Sequence, residues 1–225
     1  MIAAGGTCTP LAARALEELC RTYWYPLYAY IRRQGRPCHD AQDLTQAFFA
    51  RLLEKNSLQN VSPQKGRFRS YLLTALNHFL VDDWKKANRQ IRGGGSQLLS
   101  FDEAAAEHRY ELEPVEQLTA ERIYERRWAL TLLEQVLALL EQEFVDLGNA
   151  ALFAELQIFL LGEKNAPAYA VIAAKLGLTE GAVKAAVYRL RRRYRELLRQ
   201  TIAQTVADPD EIDEELRHLF AVLVN

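Results

Sequence analysis

The side chains able to act as nucleophiles, ligands or proton carriers are few here and poorly placed for catalysis. The four histidines, His39, His78, His108 and His218, are scattered along the chain and form no metal-ligand spacing. Cys8, Cys20 and Cys38 make an odd count without a Cys-x-x-Cys pair, the pattern of reduced thiols rather than a disulfide framework. Cys38 and His39 are adjacent, but the arrangement belongs to no common cysteine-nucleophile motif, and there is no phosphate loop or nucleophile elbow. The expectation is a protein that is not an enzyme, with no metal and no cofactor.

Cations and aromatics are better organised. In residues 169–194 a short helical stretch with small Ala173 on its inner side ends at Gly177, which can take a left-handed turn conformation. Leu178 is expected as an apolar plug, and Thr179 as the N-cap of the next helix. That helix should bury Val183, Val187, Leu190, Tyr194 and Leu197, spaced by threes and fours, and present Lys184, Tyr188, Arg191, Arg192 and Arg195 on an adjoining face. These are the requirements of a helix-turn-helix with a recognition helix for a major groove. Glu180, Gly181, Lys184, Ala185 and Tyr188 would face base edges. The later arginines (Arg189, Arg191 and Arg192) would meet phosphates, which add affinity but little sequence information. The competing reading is a helical hairpin with a solvated basic face.

A second cluster lies in the N-terminal half. Phe68, Tyr71, Phe79 and Trp84 share one helical stretch with Lys85, Lys86 and Arg89. Phe68, Leu72, Leu76 and Phe79 read as core. Trp84, inside the run DDWKK, suits contact with unstacked bases, where stacking contributes about 1–3 kcal/mol per base. The alternative is a Trp tucked beneath the lysine stems.

The elements that must position these residues all read as helices, without strand-like alternation. The first starts at Thr9-Pro10, carries apolar Leu16, Leu19, Cys20, Tyr23, Leu27, Tyr30 and Ile31 at helical steps, and ends at Gln34-Gly35-Arg36-Pro37. Asp40 opens the second, with Leu44, Phe48, Phe49, Leu52 and Leu53 as its stripe. Residues 56–66 read as a loop, and the triple glycine at 93–95 as a boundary. The acidic stretch up to Glu113 reads as extended or loosely ordered, and Pro114 as the start of a long helix towards Gly148. The expected fold is all-α, with two small helical domains joined by a flexible linker. The spans are 9–92, an acidic linker at 93–113, a helix-turn-helix domain at 114–204, and an acidic amphipathic helix at 205–225.

The net charge of −1 taken alone argues against nucleic-acid binding. Its distribution reverses that argument: residues 1–100 carry +7, 101–165 carry −9, 166–204 carry +6 and 205–225 carry −5. Two basic modules alternating with acidic segments suit a polyanion ligand. No apolar run approaches the roughly 18 residues of a membrane span, and the N-terminus lacks the basic-then-apolar order of a signal peptide, so no membrane insertion and a cytoplasmic location are expected.

Residues 40–54 (DAQDLTQAFFARLLE), residues 66–95 (GRFRSYLLTALNHFLVDDWKKANRQIRGGG) and the helix-turn-helix, in this order, resemble a bacterial RNA polymerase sigma factor of the extracytoplasmic-function group. The resemblance runs from about residue 10 to residue 223. It implies that the helix from Asp40 to Glu54 docks on the clamp helices of the polymerase largest subunit through Asp40, Asp43, Leu44, Gln46 and Phe49. It implies that the helix from Tyr71 to Arg89 and the preceding loop engage the −10 promoter element, with Asn60, Ser62, Lys65, Tyr71, His78, Asp82, Trp84, Lys85 and Arg89 as matching positions. The helix-turn-helix would read the −35 element. Core polymerase and promoter DNA are the implied partners, with an anti-sigma protein or a regulatory kinase as further candidates. Asp102, Glu103, Glu107, Glu111 and Glu113 would match a segment threaded towards the RNA exit path, where their charge could mimic transcript. The pattern is broken twice: His78 stands where many members have Asn, with Asn77 one place earlier, and Ala186 where many have a basic residue.

Two rivals stand beside this reading. A repressor or activator would bind duplex operator DNA without polymerase, commonly as a dimer, and leaves the aromatic-basic helix unexplained. A small enzyme lacks any catalytic constellation. The last helix, with Ile212, Leu216, Leu219, Phe220 and Leu223 apolar among acids, either covers the recognition helix or caps the second domain.

Overall fold

The computed structural model describes residues 10–54, 67–87, 103–111, 118–160, 166–206 and 208–224. Every element among them is helical: α1 (Pro10–Arg33), α2 (Cys38–Glu54), α3 (Phe68–Ala87), α4 (Glu103–Glu111), α5 (Ala120–Asp146), α6 (Ala150–Leu156), α7 (Tyr169–Leu176), α8 (Glu180–Ala203) and α9 (Ile212–Val224), with short 3-10 turns at Gln157–Phe159 and Pro209–Glu211. The chain divides into two compact units, Met1–Thr131 with Thr205–Asn225, and Leu132–Gln204.

The first unit is built around α1. Its apolar stripe was expected on one face, yet Trp24, Tyr25, Tyr28 and Ala29 are buried along with Tyr23, Leu27, Tyr30 and Ile31. A helix apolar all round must be enclosed on several sides. Accordingly Tyr23 meets Phe68 of α3 edge-on at 5.5 Å, Tyr28 meets Tyr110 of α4 at 6.5 Å and Tyr30 meets Tyr124 of α5 at 6.4 Å. Such rings carry a hydroxyl that needs a partner in the core. Tyr30 donates to Asn77 Oδ1 at 2.8 Å, and Tyr28 donates to Glu107. Gly35 then adopts φ 86° and stops the helix where the sequence placed the stop.

Four expectations give way here. Within the acidic stretch expected to be extended or loosely ordered, residues 103–111 form α4. Glu107, offered as a transcript mimic, is committed within the unit: Arg32 grips it through Nε at 3.1 Å and Nη2 at 2.5 Å. Those guanidinium bonds hold the Glu107 carboxyl below the usual carboxylate range, against the opposing effect of burial. Glu103 and Glu111 stand on α4, whereas Asp102 and Glu113 lie outside the described residues. The long helix starts at Ala120 rather than Pro114, with Thr119 Oγ1 accepting the Arg122 N–H at 3.3 Å. The compact units also divide the chain elsewhere than at 93–113: that span falls inside the first unit, and α5 passes from one unit into the other at residue 131.

The last helix takes a seat in the first unit. Leu219 of α9 is wholly buried, and Glu215 is ion-paired with Arg69 at the start of α3. Arg69 itself is 3% exposed and lies with its guanidinium over Trp128 of α5 at 4.8 Å. The last helix was expected either to cap the second domain or to cover its recognition helix; its contacts include Arg69 of α3 and Glu125 and Trp128 of α5, within the first unit. A buried Arg–Glu pair is strongly position-specific, since either charge left alone in the core is costly.

The second unit contains residues 132–146 of α5 and α6, α7 and α8. Val136, Leu140, Phe153, Leu156, Phe159, Ile172, Val183, Val187, Leu190, Leu198 and Ile202 supply its core. Phe144 packs on Phe153 at 5.5 Å and Phe159 stacks on Tyr169 at 5.0 Å. Arg193 of α8 ties back to Glu143 of α5 at 2.5 Å.

Candidate nucleic-acid interface

In the second unit the turn between α7 and α8 has the geometry the residues call for. Gly177 sits at φ 66°, ψ 29°, and the Leu178 N–H bonds the Ala173 carbonyl at 2.9 Å, closing α7 in a Schellman-type turn. Thr179 is extended and its hydroxyl accepts the Ala182 N–H at 3.2 Å, opening α8. Ile172 and Ala173 of α7 are buried, as are Val183, Ala186, Val187 and Leu190 of α8. Leu178 is not a plug: it is 43% exposed, because the left-handed turn swings it outward. Tyr194 is half-buried rather than core. Ala186, where a basic residue was the expected family pattern, is buried.

Thr179, Glu180, Lys184, Ala185, Tyr188, Arg189, Arg191 and Arg192 are all exposed, so the outward face of α8 carries every residue assigned to it. Their states differ. Tyr188 is 68% exposed, a large aromatic kept in water. Lys184 pairs with Glu180 at 2.7 Å, and that carboxylate raises its pKa above the ordinary lysine value. Arg192 pairs with Glu196 at 3.0 Å. Arg191 differs from the expectation: Nε and Nη2 donate to the Phe159 carbonyl at 3.1 and 2.8 Å, so this guanidinium fastens α8 to the preceding turn. The exposed i,i+4 pairs are individually weak, so Lys184 and Arg192 can be redirected to a phosphate at little cost.

In the first unit α2 and α3 flank a groove of about 200 Å³ lined by Phe48, Arg51, Leu52, Tyr71, Ala75, His78 and Phe79. Arg51 lies 5.7 Å over the Phe79 ring and reaches Asp82 at 3.0 Å, fixing that carboxylate beside the groove. Tyr71, His78 and Asp82 are therefore brought together. Trp84 and Lys85 follow on α3, and Trp84 is 57% exposed, so the reading that tucks it beneath lysine stems does not hold. Asn77, next to His78, is used internally as the acceptor for Tyr30. Asn60, Ser62, Lys65 and Arg89 lie outside the described residues.

The residues assigned to polymerase docking separate into two groups. Asp40 and Asp43 are exposed, and Leu44 and Gln46 are half-buried. Phe49 is wholly buried, with Phe48 edge-on at 5.8 Å, so it supports α2 from the core and offers no docking surface. Sequence reasoning missed Arg67, Arg69 and Glu215. The arginines stand in the quoted run GRFRS, but an arginine 3% exposed opposite a glutamate 146 positions away leaves no local signal.

Among the described residues no group of His, Cys, Asp or Glu could hold a metal ion, and no helix is long and apolar enough to cross a membrane. The arrangement defines a helical protein with exposed cationic and aromatic surfaces. Residues 19–90, spanning most of α1 through α3, match the family model for sigma-70 region 2. The match covers about a third of the chain. No curated protein and no solved structure matches the chain.

Proposed function

We propose that this protein is a sigma factor of the extracytoplasmic-function type, which binds core polymerase, recognises −35 and −10 elements and promotes melting of the promoter. The observation that carries the reading is the match to sigma-70 region 2 over residues 19–90, and it is supported by the left-handed turn at Gly177 and the Thr179 cap that join α7 to α8. In this reading Asp40, Asp43, Leu44 and Gln46 face the clamp helices. Tyr71, His78, Asp82, Trp84 and Lys85 act on the opened −10 strand, where an aromatic beside cations receives an unstacked base. Lys184, Ala185 and Tyr188 meet base edges of the −35 element, while Arg189 and Arg192 meet phosphates. The protein performs no covalent chemistry and acts in the cytoplasm. An anti-sigma protein or a regulatory kinase would control it through these same surfaces.

The test is transcription by the purified chain with core polymerase on a genomic promoter pool, reading start sites. Start sites sharing two spaced elements are the expected result. Failure to bind core polymerase overturns the reading, and tight dimeric binding to duplex operators without polymerase would replace it with a conventional repressor or activator.

A further inference from the structure

The contact between α9 and the start of α3 involves two arginines with different surroundings. Arg69 and Glu215 have side chains 3% exposed and form a buried pair. Arg67, one residue before α3, is 27% exposed and is shared by two carboxylates: Nε meets Glu215 Oε2 at 3.1 Å and Nη2 meets Glu214 Oε1 at 3.1 Å. Glu214 is 60% exposed. The pair Arg69–Glu215 therefore anchors α9, while Glu214 holds the outer edge of Arg67 by a contact that water already reaches.

A guanidinium presenting two N–H edges to carboxylate oxygens has the geometry that also takes a phosphate. We propose that Arg67 is a binding site for a DNA backbone phosphate, and that Glu214 of α9 occupies it in the free protein. Exchange does not require α9 to leave. Glu215 keeps Arg69 neutralised and keeps Nε of Arg67 oriented, and the incoming phosphate replaces one exposed carboxylate. The tail thereby lowers the affinity of the free chain for DNA in general, since residues 205–225 hold six acidic residues against one basic. Arg67 lies at the entrance to the helix that carries Trp84 and Lys85, so the inference rests on the reading of that helix as a DNA-facing element.

The experiment uses the full chain without polymerase and a random-sequence DNA duplex as probe, with affinity measured across a range of salt concentrations. Glu214→Gln should bind about two- to fivefold tighter than wild type, the worth of one exposed ion pair. The slope of log K against log salt should steepen by about one, the signature of one further phosphate contact. Adding Arg67→Gln to Glu214→Gln should remove both effects; Arg67→Lys in the same background should keep the slope and lose part of the affinity. Unchanged affinity and slope in Glu214→Gln overturn the proposal. So does a gain that survives Arg67→Gln, which would mark a general charge effect. Circular dichroism of each variant establishes folding, and Glu214→Gln alters an exposed side chain. Core polymerase binding, measured separately on the same variants, should be unchanged. Its absence in wild type would refute the sigma-factor reading without deciding the phosphate site.

Discussion

His218 shows how one side chain reports on its surroundings. It lies on α9 with its ring 6.4 Å from Trp128 and Nε2 3.5 Å from Glu125 Oε1. Burial lowers its pKa below the ordinary 6.5, the charges of Arg69 and Arg67 lower it further, and Glu125 opposes both. A base with a depressed folded value contributes stability that is full above the unfolded pKa of about 6.5. That contribution declines as pH falls from there through the folded value, because only the unfolded chain takes up the proton. Urea midpoints should therefore drop between about pH 7.5 and 5.5, and His218→Gln should reduce that drop. Equal drops in both proteins would show that His218 is not the titrating group. Phe49 carries the opposite lesson: it was assigned to a docking surface from its place in a motif, and burial makes it core.

The turn between α7 and α8 was the most readable feature because each part is fixed by local chemistry. Gly177 is required by its φ of 66°, and an added Cβ would meet nothing within 4 Å. Gly177→Ala should therefore destabilise the second unit by about 1–2 kcal/mol through backbone strain alone, and Gly177→Asn by less. Thr179→Ala, which deletes the cap on Ala182, should cost about 1 kcal/mol. Chemical denaturation of each variant checks these values; a Gly177→Ala protein as stable as wild type would mean that the turn relaxes. The start of α5 was less readable. Pro114 is a sound start signal, yet Thr119 supplies the cap, and both residue types favour helix starts. The acidic stretch misled for another reason: α4 has little intrinsic patterning, and its order comes from Arg32, Tyr28 and Tyr110 meeting across the unit.

Across the whole molecule, the sequence order of the modules differs from their grouping in space. The chain closes its first unit with its last helix, so the C-terminal segment belongs with residues that begin before α3. Deleting residues 206–225 removes Glu215 and Leu219 and leaves Arg69 buried without its carboxylate, a loss of about 3–5 kcal/mol. Hydrogen exchange should show the loss in α1, α3 and the first part of α5, with α7 and α8 keeping their protection. A truncation that leaves α1 and α3 protected, and instead exposes α8, would return α9 to the capping role first expected of it. The alternation of +7, −9, +6 and −5 takes a sharper meaning from this arrangement. Part of the negative charge is spent inside the first unit, on Arg32 from α4 and on Arg67 and Arg69 from α9.

By itself the sequence determined the helical character, the turn at Gly177 and the exposed face of α8, since these follow from contacts three or four residues apart, and the alternating charge of its segments, which composition alone gives. Only the tertiary structure decided that residues 22–31 of α1 are enclosed on several sides, that Phe49 and Asn77 serve the core, and that α9 seats on Arg67 and Arg69. Those outcomes depend on side chains far apart in the chain, brought together by burial of charge and aromatic surface. Periodicity carries no information about such distant partners.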